Sequence, residues 1–407
     1  MTPHADLAER YGTPLYVYDL DEVAAAKADL AGFLPDGCRI LYSLKANPHP
    51  DVARALREGP GPGCGAEVSS VGELAAAAEA GFTGAEIVYT GPGKTPGELA
   101  HAVARGVRSF SAESPEDLRN IGRAAEAHGV VAGCLLRVNS AEPGSGTGLR
   151  MTGKPTQFGI DAETVAASAA ELRAAPGTSI TGVHLFSQSN APGEDSLIAE
   201  LRHSVEVAAR IQDDLGPPLR TLDIGGGFAS PYGRPGPRPA YPRLRAALES
   251  ALDAAFPGWR RGEPGVAVES GRYLTGSAGT LLTRVTSVKT GRGRTHVILD
   301  AGINVFGGLS GLGRLLPVSV EPEPGGAHAR ATLAGPLCTP ADILARDVPV
   351  ADLGPGDVLA IPNTGAYGLT ASLTLFLGRP APVEAVVRGG QVVSATRIVP
   401  TRVPVAG

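Results

Sequence analysis

The chain has 407 residues, more than one hydrophobic core usually encloses, so we expect two domains. Hydrophobic residues make up 43% of it and charged residues 19%, as in an ordinary globular protein with large cores. The net charge of −5, without a basic stripe, argues against nucleic acid or an anionic membrane as the main partner.

The amino terminus and the cysteines predict the compartment. Residues 1–12 contain no apolar core of the signal-peptide type, and no run in the chain is long enough to span a bilayer. Cys38, Cys64, Cys134 and Cys338 show no CxxC spacing. We therefore expect reduced thiols in a cytoplasmic protein, with the first three cysteines filling core space.

From residue 40 to about residue 270, short apolar runs alternate with helical segments rich in Ala, Leu and Glu. The predicted strands are Ile40–Leu44, Ala66–Ser69, Ile87–Thr90, Arg108–Ser111, Gly133–Val138, Ile180–Phe186, Leu219–Ile224 and Val266–Glu269. The predicted helices are Pro50–Glu58, Val71–Ala80, Thr95–Arg105, Pro115–His128, Glu163–Ala174, Ser196–Leu215 and Tyr241–Ala255. This alternation predicts an α/β fold, a parallel (β/α)8 barrel of the TIM type over residues 25–270, with an open doubly wound sheet as the alternative.

Beyond residue 270 the segments become strand-like, rich in Val, Thr and Ile and separated by Gly/Pro turns. They are Gly279–Thr290, Thr295–Leu299, Leu316–Val320, Ala329–Leu333, Asp357–Ile361 and Val383–Val399. This pattern predicts an antiparallel β domain, made of residues 1–24 and 271–407.

Polar residues stand where the predicted barrel strands end, at the rim where (β/α)8 barrels carry their chemistry. They are Lys45, Glu67, Arg137, the segment Phe186–Asn190, Gly225–Gly227, Glu269 and Arg272. Each alone is more often a surface or turn residue. Together they supply the parts that bind a phosphorylated electrophile with a cationic ring, because glycines admit phosphate to backbone N–H groups and arginine neutralises it.

Lys45 closes a buried apolar run, just before Pro48. Lysine amines form Schiff bases with aldehydes, so the cofactor implied is pyridoxal 5′-phosphate. A carboxylate on the pyridine nitrogen of that cofactor makes the ring an electron sink, and Glu269 is the residue predicted for this role. No metal is expected.

Seven motifs, in order along nearly the whole chain, resemble those of the fold-type III pyridoxal-phosphate decarboxylases. That family includes the diaminopimelate, ornithine and arginine decarboxylases. The motifs are Tyr42–Asn47, Gly65–Ser69, Leu136–Asn139, Asp223–Phe228, Glu269–Arg272, Gly335–Cys338 and Gly365–Gly368. The resemblance implies a barrel followed by a β-barrel domain like that of alanine racemase.

The resemblance also implies roles for single residues. Lys45 would carry the cofactor, and the phosphate would be held by Gly225, Gly226, Gly227, Arg272 and Tyr367. The other residues expected at the cofactor are Glu67, Arg137, Phe186, Ser189 and Glu269. The residues expected at the substrate are Asp300, Thr339, Arg272 and Tyr367.

The resemblance further implies a homodimer with shared sites. Cys338 and Thr339 would reach each site from the partner chain's β domain, where Cys338 would return a proton to the substrate's α-carbon. Tyr367 also belongs to that domain. Without the resemblance, Cys338 would be read as a small buried hydrophobe.

Four departures from the family bear on the substrate. Phe186 stands where the ring-stacking histidine is expected, and the neighbouring His184 is interpreted as structural. Thr339 replaces the acidic residue that meets a distal amine, and the segment 371–377 reads ASLTLFL. Gly308 and Leu312 replace an arginine and a tyrosine of diaminopimelate enzymes.

These departures favour a branch found in natural-product pathways, which includes decarboxylases of glutamyl groups held on a carrier protein and siderophore enzymes. The substrate would be an amino acid, free or tethered to a carrier protein. The alternatives are a diaminopimelate or ornithine decarboxylase of primary metabolism, a racemase, and a non-catalytic homologue that has lost the cofactor.

Overall fold

The computed structural model describes residues 4–140, 149–150, 156–186, 188–191, 193–307, 319–323 and 329–405. The chain forms two compact units. The barrel unit comprises Ala26–Ala229 and Pro239–Leu274, and the sheet unit comprises Met1–Ala25, Ser230–Arg238 and Thr275–Gly407. The sheet unit thus includes residues 230–238, which lie inside the range that the sequence assigned to the barrel.

Strands and helices are numbered in chain order. The strands are β1 (Leu15–Asp19), β2 (Arg39–Ser43), β3 (Gly65–Val68), β4 (Ile87–Tyr89), β5 (Ser109–Ala112), β6 (Ala132–Asn139), β7 (Leu149–Arg150), β8 (Ile160–Asp161), β9 (Thr178–His184), β10 (Gln188–Ser189), β11 (Thr221–Asp223), β12 (Gly265–Ser270), β13 (Gly279–Gly291), β14 (Arg294–Leu299), β15 (Ala329–Ala334), β16 (Ile343–Val350), β17 (Val358–Ile361), β18 (Val383–Arg388) and β19 (Gln391–Arg397). The helices are α1 (His4–Tyr11), α2 (Leu20–Phe33), α3 (Pro50–Glu58), α4 (Val71–Glu79), α5 (Pro96–Ala104), α6 (Pro115–Ala127), α7 (Ala162–Arg173), α8 (Glu194–Leu215), α9 (Leu244–Ala255) and α10 (Arg272–Thr275).

The barrel unit is a closed sheet of parallel strands in the order β2, β3, β4, β5, β6, β9, β11 and β12. The last strand pairs with the first, with Glu269 opposite Leu41 and Ser270 opposite Tyr42. This closure confirms the (β/α)8 barrel, because a doubly wound sheet would leave two edges open. The carboxyl ends of all eight strands therefore meet at one rim.

Short capping motifs start the helices that follow the rim loops. Ser70, Thr95 and Ser114 each accept a hydrogen bond from the backbone N–H three residues on, which satisfies a donor that the first turn leaves open. Pro50, Pro96 and Pro115 occupy first helical positions, where a missing N–H costs nothing. These sequence signals explain why the predicted and observed starts of α3 to α6 agree to within one residue.

The sheet unit is built on one sheet in the order β16, β15, β14, β13, β1, β18 and β19, with β17 also paired to β13. Most pairings are antiparallel, but β1 pairs parallel with β18 and β14 parallel with β15. Leu15 and Val17 of β1 pack with Leu282, Val383 and other residues in the core of this unit.

The sequence missed β1 and β16 and read the hairpin of β18 and β19 as one run. Gly389 and Gly390, both with positive φ, make the turn of that hairpin. The predicted strand Leu316–Val320 lies largely outside the described residues. None of the helices in the described ranges is long and apolar enough to cross a membrane.

All four cysteines are free thiols. Cys64 and Cys134 are buried, and burial raises their pKa to about 11 and about 12. Cys38 is half-buried, and removal of its thiol from water raises its pKa to about 12. Cys338 differs from these three because it is exposed.

A buried lysine ties together two loops of the rim. The Lys94 ammonium lies 2.7 Å from the Asp117 carboxylate, with side-chain exposures of 1% and 10%. It also donates to the backbone carbonyls of Gly91, which follows β4, and of Ser111, which lies in β5. The charge is thereby fully satisfied inside the protein, which is the condition under which a buried ion is tolerated.

We expect Lys94→Met to lower the free energy of unfolding by about 3–5 kcal/mol, because it leaves the Asp117 carboxylate buried without its cation. Urea unfolding followed by circular dichroism measures this loss. The matched control is Arg119→Met, which breaks exposed ion pairs with Glu116 and Glu171 and should lower stability much less, because exposed ion pairs contribute little. Equal losses in the two variants would contradict the assignment.

Candidate active site

Lys45 lies in a turn and not at the end of a strand as predicted. β2 ends at Ser43, and Leu44–Ala46 form one turn of 3-10 helix in which the flanking Leu44 and Ala46 are buried. The Tyr42 hydroxyl donates to the carbonyl of Asn47, and the Asn47 side chain accepts from the N–H of His49. These bonds fix the turn before α3, so the Lys45 side chain is directed out of the apolar layer, and it is 41% exposed.

The amine of Lys45 is paired with a buried carboxylate. Lys45 Nζ donates to both carboxylate oxygens of Glu67 on β3, at 3.0 Å each. The Glu67 side chain is only 2% exposed. The Thr90 hydroxyl donates to Glu67 at 2.6 Å. Glu67 therefore has the contacts to hold the amine in place and to accept a proton from it.

An aromatic ring at the same rim has two cations near it. Lys45 Nζ and the Arg137 guanidinium carbon each lie 5.8 Å from the centre of the Phe186 ring. Arg137 is buried, 3.8 Å from Glu113 and 5.3 Å from the Phe158 ring. The Phe186 face is thus fixed beside the reactive amine, as ring stacking would require.

Three buried titratable side chains meet inside the barrel. His184, Asp223 and Glu269 come from β9, β11 and β12, and one ligand atom from each lies within 4.8 Å of the others. His184 stands opposite both Arg137 and Asp223 in the strand register, so these side chains share a face. His184 Nε2 lies 3.2 Å from Glu269 Oε1, and His184 Nδ1 lies 2.8 Å from the Ser111 hydroxyl.

The surroundings of this cluster separate the pKa values of its two carboxyls. Burial, then the charge of Glu269, raises the pKa of Asp223 to about 7. Burial also acts to raise the pKa of Glu269, but the imidazole of His184 and the charges of Lys45 and Arg137 outweigh it and lower that pKa. At neutral pH, Glu269 is therefore the carboxylate of the pair, and Asp223 is the group that holds a proton first.

The turn after β11 requires glycine. Gly225 and Gly227 have φ of +80° and +108°, in the region that other residues rarely adopt. A Cβ at Gly225 would lie 2.2 Å from the carbonyl oxygen of Leu185, and one at Gly226 would lie 2.1 Å from that of Glu269. Within the described ranges, neither the Gly226 nor the Gly227 N–H meets an acceptor, so both can receive an anion.

Arg272 stands close to the Lys45 turn because of a neighbouring glycine. A Cβ at Gly271 would lie 2.6 Å from the Cβ of Ala46 and 3.0 Å from the carbonyl oxygen of Ser43. Only glycine allows this approach, which follows from the pairing of β12 with β2. Ser189 on β10 is half-buried and pairs with Leu149.

In the sheet unit, one aspartate shapes the loop that carries Cys338. The Asp342 carboxylate accepts from the N–H groups of Leu337 and Ile303, at 2.7 and 2.8 Å. The Thr339 carbonyl accepts from the Asp342 N–H, which tightens the loop around exposed Cys338. Cys338 and half-buried Thr339 are therefore held in a defined conformation.

Tyr367 and Asp300 also belong to the sheet unit. Tyr367 has a φ of +53°, and its carbonyl accepts from the Tyr232 hydroxyl at 2.9 Å. The Asp300 carboxylate accepts from Thr13, Thr283 and the N–H of Arg284, which anchors β13 and β14. These bonds explain Asp300 as a structural residue, and its role at the substrate stays a prediction. Gly308 and Leu312 lie outside the described residues.

Comparison with known proteins decides the family. Residues 20–276 match the family described as pyridoxal-dependent decarboxylase, pyridoxal binding domain. The chain belongs to the pyridoxal-dependent decarboxylases. It is therefore an enzyme, a carboxy-lyase that uses pyridoxal 5′-phosphate, and the resemblance drawn from its seven motifs is confirmed.

Relatives of two kinds are similar to this decarboxylase. The L-glutamyl-[BtrI acyl-carrier protein] decarboxylase of Niallia circulans is 34% identical over 396 residues, covering 94% of this chain and 91% of its own. The diaminopimelate decarboxylase of Deinococcus radiodurans is 33% identical over 389 residues, covering 94% and 92%. The crystal structure of the lysine decarboxylase of Selenomonas ruminantium superposes with a TM-score of 0.80 at 26% identity, covering 95% and 94%.

The barrel rim of this decarboxylase fits pyridoxal 5′-phosphate. Lys45 supplies an accessible amine, Glu269 a buried carboxylate, and the Gly226 and Gly227 N–H groups two donors for phosphate. Phe186 supplies an aromatic face between them. We propose these roles for the residues, on the donor set and the open N–H groups of the glycine turn.

The sequence reading missed three polar residues at this rim. His184 was interpreted as structural and Asp223 received no role, yet both contact or adjoin Glu269. Their place at the ends of their strands puts them at the same rim as Glu269, but their contacts depend on strand register, which the sequence pattern does not show. Ser111, the third, carried no signal beyond its place at a strand end.

We expect Lys45→Ala to abolish the visible absorbance of the bound cofactor, because Lys94, the other lysine at the described part of the rim, is buried and ion-paired with Asp117. Borohydride reduction followed by peptide mass analysis should place the reduced cofactor on Lys45 in the native protein. Lys289→Ala, which removes an exposed lysine of the sheet unit, is the control and should leave both results unchanged. Labelling of another lysine would refute the assignment.

We expect Asp223→Asn to change how stability depends on pH. The pKa of Asp223 is raised to about 7 in the folded protein. Keeping Asp223 in the folded protein therefore costs more stability as the pH rises from about 4 to about 7. Asparagine has no such cost, so the advantage of the variant should grow across that range, by about 1.4 kcal/mol for each pH unit, and stay constant above it. Urea unfolding of cofactor-free protein at several pH values measures this.

The control for this series is Asp253→Asn, which changes an exposed aspartate whose pKa is lowered by Arg260 and Trp259. Its stability difference should not grow with pH in the same window. An advantage of Asp223→Asn that stays flat between about pH 4 and about pH 7 would show that Asp223 is ionised throughout.

Proposed function

We propose that this enzyme decarboxylates an amino-acyl group of specialised metabolism that is held on a carrier protein. The observation that carries the proposal is Thr339, an uncharged residue next to Cys338 on a loop that Asp342 holds in place. Thr339 offers no charge to pair with the distal ammonium group of ornithine. The similarity to a glutamyl carrier-protein decarboxylase supports the same substrate class.

The charge balance disfavours small, doubly charged substrates. A free diamino acid or diaminopimelate brings a second charged group into the site, which must be paired when it leaves water. Losing a charged, hydrogen-bonded partner in a buried site costs on the order of 2–5 kcal/mol, or roughly thirtyfold or more in affinity. An acyl group tethered as a thioester has no distal charge of its own, so Thr339 is compatible with it.

The chain's own residues would divide the work as follows. When bound, pyridoxal 5′-phosphate withdraws electrons from the bond between the substrate's α-carbon and its carboxylate. Lys45 holds the cofactor until the substrate amine replaces it, and Glu67 accepts the proton that this exchange releases. Phe186 keeps the ring plane fixed, which orients the bond to be broken.

Cys338 is the proposed acid that returns a proton to the α-carbon after carbon dioxide leaves. Its thiol is exposed on the sheet unit, so we propose that a second copy of the chain presents it to the rim. Leu375, Phe376 and Leu377 form an exposed apolar run in that unit, with Leu375 71% exposed. Such a run supports a homodimer, because covering apolar surface favours association.

We expect carbon dioxide release from a glutamyl or similar amino-acyl carrier protein at a rate at least about a hundredfold above that with free glutamate, diaminopimelate or ornithine. Mass spectrometry of the carrier protein measures the loss of carbon dioxide directly. Diaminopimelate is the most informative free substrate, because its decarboxylase is among the relatives. Faster turnover of free diaminopimelate than of any tethered group would overturn the proposal.

Cys338→Ala is the companion variant for the same assay. It should retain the cofactor absorbance but lower turnover by about 10²–10⁴, the usual contribution of a positioned acid. Cys134→Ala, which changes a buried thiol away from the rim chemistry, is the control. Unchanged turnover in Cys338→Ala would remove the thiol from the mechanism.

A further inference from the structure

One buried histidine has no part in the roles proposed above. His184 is completely buried at the end of β9, and its two ring nitrogens meet two different groups. Nε2 lies 3.2 Å from Glu269 Oε1, and Nδ1 lies 2.8 Å from the Ser111 hydroxyl. An imidazole placed only to fill space would not need polar partners at both nitrogens.

The chemistry of these contacts fixes the hydrogen on Nε2. The ionised Glu269 carboxylate can only accept, so the imidazole nitrogen that faces it must carry hydrogen. The Ser111 hydroxyl, opposite Nδ1, can act as donor or acceptor. Nε2 and Glu269 Oε1 lie at ion-pair distance, but within the described part of the chain neither atom makes an aligned hydrogen bond, so their contact is electrostatic.

The nearby Asp223 gives the contact between His184 and Glu269 its importance. Its Oδ1 accepts from the N–H of Gly225 at 3.1 Å, but its buried Oδ2 has no hydrogen-bond partner in the described part of the chain. Two carboxyls this close cannot both ionise in a buried site. His184 faces Glu269 and favours its ionised form, so Asp223 is the carboxyl that keeps the proton.

We propose that His184 is a positioning residue: through the electrostatic contact of Nε2–H with Oε1 it keeps Glu269 ionised and oriented toward the pyridine nitrogen of the cofactor, and so keeps that nitrogen protonated. Without the donor, Glu269 becomes the stronger base and takes the proton that the ring nitrogen needs. Burial strengthens this contact, because charges interact more strongly in the low dielectric of the protein interior.

The charged and titratable groups around Glu269 all bear on its ionisation. They are His184 on β9, Asp223 on β11, Lys45 in the turn after β2 and Arg137 on β6, while Glu67 on β3 acts on Asp223. Lys45 and Arg137 favour the Glu269 carboxylate, and Asp223 opposes it when ionised. Among these groups, only His184 both contacts Glu269 and can donate from inside the barrel.

The test follows the ring nitrogen itself, in enzyme reconstituted with cofactor labelled with ¹⁵N at the pyridine position. In His184→Met, the ¹⁵N resonance should move toward that of a neutral pyridine, and cofactor affinity should fall by about tenfold to a hundredfold, as expected for a lost bond to a charged group. In His184→Gln the side-chain amide can still donate to Glu269 and accept from Ser111, so the native resonance should return.

Ser111→Ala is the milder variant, in case His184→Met does not fold. It removes the group that orients Nδ1, and it should shift the resonance in the same direction by a smaller amount. A native ¹⁵N resonance in His184→Met, or an equal shift in His184→Met and His184→Gln, would overturn the proposal, because the histidine would then act by shape alone.

This inference rests on the proposed place of Glu269 at the ring nitrogen, and a further variant separates the two. Glu269→Gln removes the carboxylate and should shift the resonance fully. If Glu269→Gln leaves the resonance unchanged, the role of Glu269 fails. If it shifts the resonance but His184→Met does not, only the role of His184 fails.

Discussion

The pairing of β12 with β2 closes the barrel, and the site depends on this closure. The pairing joins residues 265–270 to residues 39–43, segments more than 200 residues apart in the chain. It places Glu269 beside the strand that leads into Lys45, and it brings Arg272 close to the Lys45 turn. Gly271 makes the contact possible, because any side chain at that position would collide with Ala46. A lysine and a carboxylate that are distant in sequence thus become neighbours at one rim.

Once the rim is assembled, burial controls its charges. Lys45 is neutralised by Glu67, Arg137 lies beside Glu113, and Glu269 lies against His184. Each pairing reduces the cost of removing an ion from water. Alternating charges of this kind can hold a ligand that combines a cationic ring, an aldehyde and a phosphate. Burial and the neighbouring charges together separate the pKa values of Asp223 and Glu269, so that Asp223 takes up a proton well before Glu269 as the pH falls.

The sheet-unit residues predicted to meet the substrate offer little charge to a ligand. Asp342 uses its carboxylate to hold the Cys338 loop from within, so it is not available to a ligand. Asp300 is engaged by three donors in the sheet. Thr339 remains as the polar group next to the thiol. This distribution agrees with a substrate recognised through its amino-acyl end and its carrier and not through a second charge.

The sequence by itself determined the barrel, the order of its strands and most of the rim. Periodicity of apolar runs, helix caps and seven ordered motifs are local signals, and the rule that parallel strands end at one rim converts them into neighbours. Tertiary structure alone decided the rest. Lys45 falls in a turn because Tyr42 and Asn47 close hydrogen bonds around it, and β1 joins the sheet because a strand far along the chain receives it. The contact between His184 and Glu269 depends on register across three strands, so no local pattern could distinguish that histidine from one that only fills the core.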